Sequence, residues 1–106
     1  MNNFIKKNIL LDEIIAHNES LIIHDNNHDD YYYKFIELLF ELKESINYNY
    51  DNKILLEIFT ILDILIFNYN NSYYIDGLNM TKNILVGYYE KINSVEFLSE
   101  LLNDMC

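Results

Sequence analysis

The sequence predicts an all-α protein: a single-domain bundle of four to five antiparallel helices joined by loops rich in Asn and Tyr. Apolar residues recur at spacings of three and four in most segments, which is the helical period. The segments are separated by clusters of Asn, Asp and Tyr, and proline is absent. The 106 residues allow one domain, and 51% of them are hydrophobic. We therefore expect the whole chain, residues 1–106, to fold around one core despite a net charge of −10.

The first predicted helix covers residues 4–17. Its apolar face consists of Phe4, Leu11, Ile14 and Ile15. Asp12 and Glu13 lie on the opposite side of the helix. The pattern leaves open whether the helix continues through residues 21–23 or whether those residues form a short extended piece. Residues 24–30 predict a loop, because they consist only of His, Asp and Asn.

The second predicted helix covers residues 30–47 and is the clearest of the set. Asp29 or Asp30 can cap its first turn. The predicted inner stripe comprises Tyr32, Phe35, Ile36, Leu39, Phe40 and Ile46. The predicted solvent stripe comprises Asp30, Lys34, Glu37, Glu41 and Glu44. Residues 47–52 are predicted to end this helix as an Asn/Tyr loop.

Two or three further helices complete the predicted bundle. Residues 53–68 are apolar almost all round, which is typical of a helix in the middle of a bundle. The narrow polar strip of that helix comprises Lys53, Glu57, Thr60 and Asp63. A second loop is predicted over 68–77 and a fourth helix over 78–93. Ser94 can cap a last helix over 95–105, with Val95, Leu98, Leu102 and Met105 facing inward.

The charge of the chain limits the classes of ligand. Arginine is absent, so no bidentate guanidinium contact to a phosphate is possible. Residues 12–30 contain six acidic residues and no lysine. Nucleic-acid binding depends on clustered Lys and Arg, and an anionic membrane would repel this surface. We therefore expect a basic protein as the partner, with no nucleic acid and no membrane bound directly.

The residues that could carry chemistry do not form a recognisable catalytic set. His24 and His28 are four residues apart beside acidic residues, which is a possible start of a metal site but also fits a solvated loop. The glutamates of the second helix fall on its solvent stripe, where no apolar surroundings raise a carboxyl pKa. No serine lies in a Gly-x-Ser-x-Gly turn, and the chain has one cysteine. The sequence thus predicts no enzyme, no cofactor and no metal.

These observations favour a small acidic protein inhibitor. The predicted partner-binding residues surround the first loop and continue along the second helix: Asp12, Glu13, Glu19, Asp25, Asp29, Asp30, Tyr31, Tyr33, Glu37 and Glu41. Tyrosines are expected there because Tyr combines a large contact area with a polar tip. An immunity protein for a co-encoded nuclease-type toxin fits this chemistry. An anti-CRISPR-type phage inhibitor and a homodimeric interaction module are the alternatives. A secretory h-region is a poor fit to residues 1–15, so a cytoplasmic location is expected.

Overall fold

The computed structural model describes residues 2–24, 30–70, 74–94, 98–99 and 102–103. Four helices occupy this part of the chain: α1 (Asn2–His24), α2 (Asp30–Glu44), α3 (Tyr48–Asn68) and α4 (Ile75–Ile92). The central helix α3 packs against both α2 and α4, and α2 also packs against α1. The predicted all-α class is therefore confirmed.

The first helix is longer than the sequence predicts. It continues to His24, so residues 21–23 are helical rather than extended. Leu11, Ile14 and Ile15 are buried, as their spacing predicts. This apolar face joins a core in which sixteen of the described hydrophobic side chains are buried and to which all four helices contribute.

The connection between α2 and α3 is shorter than predicted. The proposed loop over 47–52 is wrong, because α3 begins at Tyr48. Asn47 has extended backbone angles, and its side chain accepts hydrogen bonds from the backbone N–H groups of Asn49 and Tyr50. A cap of this kind satisfies donors that a helix start leaves free, so the same asparagine that suggested a loop initiates a helix.

The inner face of α2 also differs from the prediction. Its buried residues are Tyr32, Phe35, Leu38, Leu39 and Leu42. Phe40 is 40% exposed and Ile46 is 86% exposed, so both were wrongly assigned to the inner stripe. Phe40 follows buried Leu39 and is rotated about 100° from it, while Ile46 lies after the end of the helix.

The centre of the bundle is α3. Its buried apolar residues are Ile54, Leu55, Ile58, Leu62 and Leu65. The predicted polar strip is confirmed, since all four of its members are exposed. The exposed edge is wider than predicted, because Leu56 and Phe67 are 54% and 82% exposed.

The fourth helix begins inside the predicted second loop, at Ile75. It buries Leu78, Thr81, Leu85 and Ile92. The predicted last helix falls mostly outside the described residues. Positions 98–99 and 102–103 have helical backbone, but Leu98 and Leu102 are exposed rather than inward.

Aromatic rings close one end of the core. The Tyr69 ring makes edge-to-face contacts with Tyr32 and Tyr74, with ring centroids 6.2 and 5.9 Å apart. These rings come from the start of α2 and from the residues that link α3 to α4. These three tyrosines therefore stabilise the fold, because edge-to-face contacts add to the stability that ring burial provides.

Candidate functional site

The residues predicted to bind a partner lie mainly on the outside of α1 and α2. Asp25 and Asp29 fall outside the described residues. The exposed members of the set are Asp12, Glu13, Glu19, Asp30, Tyr31, Tyr33 and Glu37. Glu41 is half-buried, although its position on the helix suggested full exposure.

Two of these carboxylates have lysine neighbours. The Lys43 ammonium of α2 pairs with Asp12 of α1 and so joins the two helices at their surface. Lys34 and Glu37 are 3.9 Å apart, and both side chains are more than half exposed. Exposed pairs of this kind contribute little to stability. The Glu37 carboxylate can therefore exchange Lys34 for a cationic group of another molecule.

Several other acidic groups have no lysine partner among the described side chains. Among the described side chains, no lysine lies within ion-pair distance of Glu13, Glu19, Asp30, Glu41 or Glu44. Glu44 was placed on the solvent stripe but was not included among the binding residues. Its exposure at the end of α2 makes it part of the same acidic surface.

Charge is distributed unequally over the two halves of the bundle. Over the described side chains of α1 and α2, seven carboxylates and two lysines lie outside the core. Over α3 and α4, four carboxylates and three lysines do so. Among the described side chains, the excess of acidic groups is therefore largest on the α1–α2 surface, which we define as the exposed side chains of residues 7–20 and 30–44.

The exposed tyrosines of α2 occupy different sides of the helix. Tyr31 is 50% exposed and Tyr33 is 46% exposed. A separation of two residues corresponds to a rotation of about 200° around a helix. The two rings therefore cannot form one continuous contact. Phe40 lies seven residues after Tyr33, so those two rings share a side.

A buried ion pair lies at the start of α3. The Lys7 ammonium is 3.0 Å from a carboxylate oxygen of Asp51, and the side chains are 4% and 7% exposed. Lys7 also donates to the Ser45 carbonyl, and the Tyr88 hydroxyl donates to Asp51 at 2.9 Å. These contacts join α1, α3, α4 and the end of α2.

The Lys7–Asp51 cluster is structural in its chemistry. Every buried side-chain nitrogen and oxygen of the described residues has a hydrogen-bond partner, so the cluster leaves no group free to accept a ligand. Burial, together with the adjacent Asp51 carboxylate, raises the pKa of the Tyr88 phenol far above its ordinary value. Sequence reasoning missed this cluster because it assigned Asp51 to a loop. The sequence signal that could have revealed it is the helical spacing of Lys7 to Leu11 and Ile14, which places this lysine on the buried side of α1.

A second buried polar cluster lies near the other end of α1. Asn18 accepts a hydrogen bond from the Tyr32 hydroxyl at 2.9 Å and donates to the Ile14 carbonyl at 2.8 Å. Its amide also donates to the Thr81 hydroxyl at 3.4 Å, while that hydroxyl donates to the Gly77 carbonyl. Burial, with the Tyr69 and Tyr74 phenols nearby, raises the pKa of Tyr32 far above its usual range.

The metal hypothesis gains no support from the described residues. No group of three His, Cys, Asp or Glu side chains there could hold a metal ion. His17 is exposed, whereas His28 and the side chain of His24 lie outside the described part. None of the helices, as far as they are described, is long and apolar enough to cross a membrane.

The acidic α1–α2 surface is thus the candidate site, and its geometry is the basis for any functional assignment. Comparisons of the chain with protein-family models, with curated proteins and with solved structures give no match.

Proposed function

We propose that this chain is a small acidic protein inhibitor that binds and neutralises a basic protein. The foremost candidate is an immunity protein for a co-encoded, nuclease-type bacterial toxin. The observation that carries the proposal is the unequal charge of the bundle, with seven carboxylates and two lysines on the described outer surface of α1 and α2. Carboxylates on a rigid helical surface can bind the cationic side chains with which a nuclease binds phosphate.

An antiparallel order of the helices is part of this proposal. Two contacts support it: Asp12 pairs with Lys43 near the end of α2, and Asn18 contacts Tyr32 near the start of α2. With this order, α1 and α2 present one outer surface along their length. A partner could then contact carboxylates of both helices at once.

The physical advantage of such a surface is fast and selective association. Complementary charges steer two proteins together and raise the association rate at low ionic strength. Salt screens exposed charges, so that rate should fall steeply as salt is added. The same surface would disfavour acidic proteins and nucleic acid. We place the protein in the cytoplasm, where nucleic-acid enzymes act.

The test compares two triple variants with the same change in charge. Glu13→Gln/Glu19→Gln/Glu44→Gln removes three exposed carboxylates from the α1–α2 surface. A matched control, Glu57→Gln/Asp76→Asn/Glu90→Gln, removes three from α3 and α4. The wild-type chain is first used to recover a partner from the products of adjacent genes, with washes at low and high salt. Association rates of the three forms are then measured.

We expect one basic protein at near-stoichiometric amount. The α1–α2 variant should associate about tenfold more slowly at low salt, and the control should differ from wild type by less than about threefold. Recovery of no basic protein would contradict the proposal. Equal slowing by the two triple variants would show that net charge, and not this surface, drives binding.

The anti-CRISPR-type alternative uses the same surface chemistry and differs only in its target. The identity of the recovered protein separates the two, since a toxin encoded beside this chain supports immunity and a host nucleic-acid enzyme supports the alternative.

A homodimeric interaction module is the second candidate function. The exposed side chains of Leu56 and Phe67 on α3 favour it, because these apolar groups lie outside the acidic surface. Light scattering on the purified chain tests it, and a strict monomer at micromolar concentration would rule it out.

A further inference from the structure

One side of α2 carries two aromatic rings that the core does not use. Tyr33 is 46% exposed and Phe40 is 40% exposed. They are seven residues apart, so they lie on the same side of the helix, two turns from each other. Neither ring belongs to the buried core, and the exposed part of each can be reached by another molecule.

A glutamate follows each of these rings on the next helical turn. Glu37 comes four residues after Tyr33, and Glu44 comes four residues after Phe40. Ring, carboxylate, ring and carboxylate therefore alternate along one line of the helix, which is about 16 Å long at ~1.5 Å per residue. We define Tyr33, Glu37, Phe40 and Glu44 as the α2 outer face.

This alternation suits a particular kind of ligand. Aromatic faces attract guanidinium and ammonium groups, and they also accept apolar side-chain stems. Carboxylates form their strongest hydrogen bonds with Lys and Arg. Phosphates would be repelled, so nucleic acid and anionic lipid do not fit. An extended acidic patch without rings would lack a means of excluding water, which energetically dominant contacts require.

We propose that the α2 outer face is the docking surface for a Lys- or Arg-rich segment of the basic partner. The glutamates bind its cationic groups, and Tyr33 and Phe40 contact its aliphatic stems and charged planes. This inference rests on the proposed inhibitor function and specifies which part of the α1–α2 surface provides most of the binding energy. Tyr31, on another side of α2, lies outside this face.

Two matched pairs of variants test the proposal with the recovered partner. Tyr33→Ala is compared with Tyr50→Ala, since each removes a tyrosine that is 46% exposed from the first turn of a helix. Glu37→Gln/Glu44→Gln is compared with Glu57→Gln/Glu90→Gln, since both remove two exposed carboxylates. Thermal melting by circular dichroism confirms that each variant is folded before binding is measured.

We expect Tyr33→Ala to raise Kd at least about thirtyfold, mainly through faster dissociation. Tyr50→Ala, on α3 and outside the α1–α2 surface, should change Kd less than about threefold. Glu37→Gln/Glu44→Gln should slow association and reduce its salt dependence, whereas the α3–α4 pair should not.

Photo-crosslinking gives an independent measurement in cells that also express the adjacent genes. A benzoylphenylalanine at position 40 should crosslink to a basic protein, and the same group at position 67, another exposed phenylalanine, should not. Equal crosslinking from both positions, or a partner that binds Tyr33→Ala and Glu37→Gln/Glu44→Gln like wild type, overturns the docking face and leaves the inhibitor function standing. Failure of the wild-type chain to recover any basic protein overturns both.

Discussion

Removing one member of the buried Lys7–Asp51 pair should destabilise the fold strongly. The pair is almost inaccessible to water, with side chains 4% and 7% exposed. Lys7→Met leaves a buried carboxylate whose remaining side-chain donor is the Tyr88 hydroxyl. An uncompensated buried charge of this kind typically costs about 3–5 kcal/mol. Since a small domain is stable by only ~5–15 kcal/mol, about a fifth or more of the total is at risk.

The assay is urea unfolding followed by circular dichroism at pH 7, with thermal melting in parallel. We expect the midpoint temperature of Lys7→Met to fall by at least about 12 °C, at ~4 °C or more per kcal/mol for a domain of this size. The double variant Lys7→Met/Asp51→Leu should be more stable than Lys7→Met by about 2 kcal/mol or more. In the double variant neither charge remains buried, and apolar residues of similar volume fill the space.

A surface pair provides the matched control. Lys82 and Asp63 are 2.7 Å apart, closer than Lys7 and Asp51, but their side chains are 37% and 63% exposed. Lys82→Met should therefore cost less than about 1 kcal/mol, because solvent screens the interaction. If Lys7→Met costs no more than Lys82→Met, burial does not determine the strength of the first pair, and the reasoning is wrong.

Three further predictions concern the helix cap, the core and the buried phenols. Asn47→Ala removes the acceptor for two backbone N–H groups at the start of α3, so we expect a loss of about 1 kcal/mol in urea unfolding, with Asn47→Asp retaining the cap. Leu62→Ala, at a fully buried position, should cost about 2–5 kcal/mol, whereas Leu56→Ala, at a position 54% exposed, should stay within about 0.5 kcal/mol; equal losses would contradict the assigned faces of α3. The pKa values of Tyr32 and Tyr88 are raised in the folded chain, so the stability that these two phenols contribute is complete below about pH 10. Above that pH the unfolding free energy should fall by up to ~1.4 kcal/mol per pH unit for each phenol. Tyr88→Phe should flatten this decline between about pH 10 and 11, and an unchanged slope would show that Tyr88 ionises in the native state.

Periodicity identified the elements of this fold better than it identified their ends. Leu11, Ile14 and Ile15 were assigned correctly because their spacing places them on one side of any helix that contains them. The start of α3 was missed because Asn and Tyr favour loops by composition. Only the hydrogen bonds of the Asn47 side chain show that these residues begin a helix.

The candidate surface was predictable in charge and less so in shape. The excess of acidic residues near the first loop is visible in the sequence, and those of them that the structure describes are exposed. The separation of Tyr31 from Tyr33 follows from helix geometry once the bounds of α2 are known. The exposure of Phe40 did not follow, since it depends on which sides of α2 meet α1 and α3. A local pattern does not determine the packing partner of a helix.

The two buried polar clusters also fix the register of α1. Leucine and isoleucine side chains would pack nearly as well if α1 slid by one turn along its neighbours, because apolar contacts have little directionality. Lys7 and Asn18 stand eleven residues apart and must both find their partners on other helices. A slide of one turn, about 5.4 Å, would leave a buried ammonium and a buried amide unpaired. The carboxylates on the outside of α1 are thereby held at defined positions relative to those of α2, which would give the proposed basic partner a constant pattern of charge to recognise.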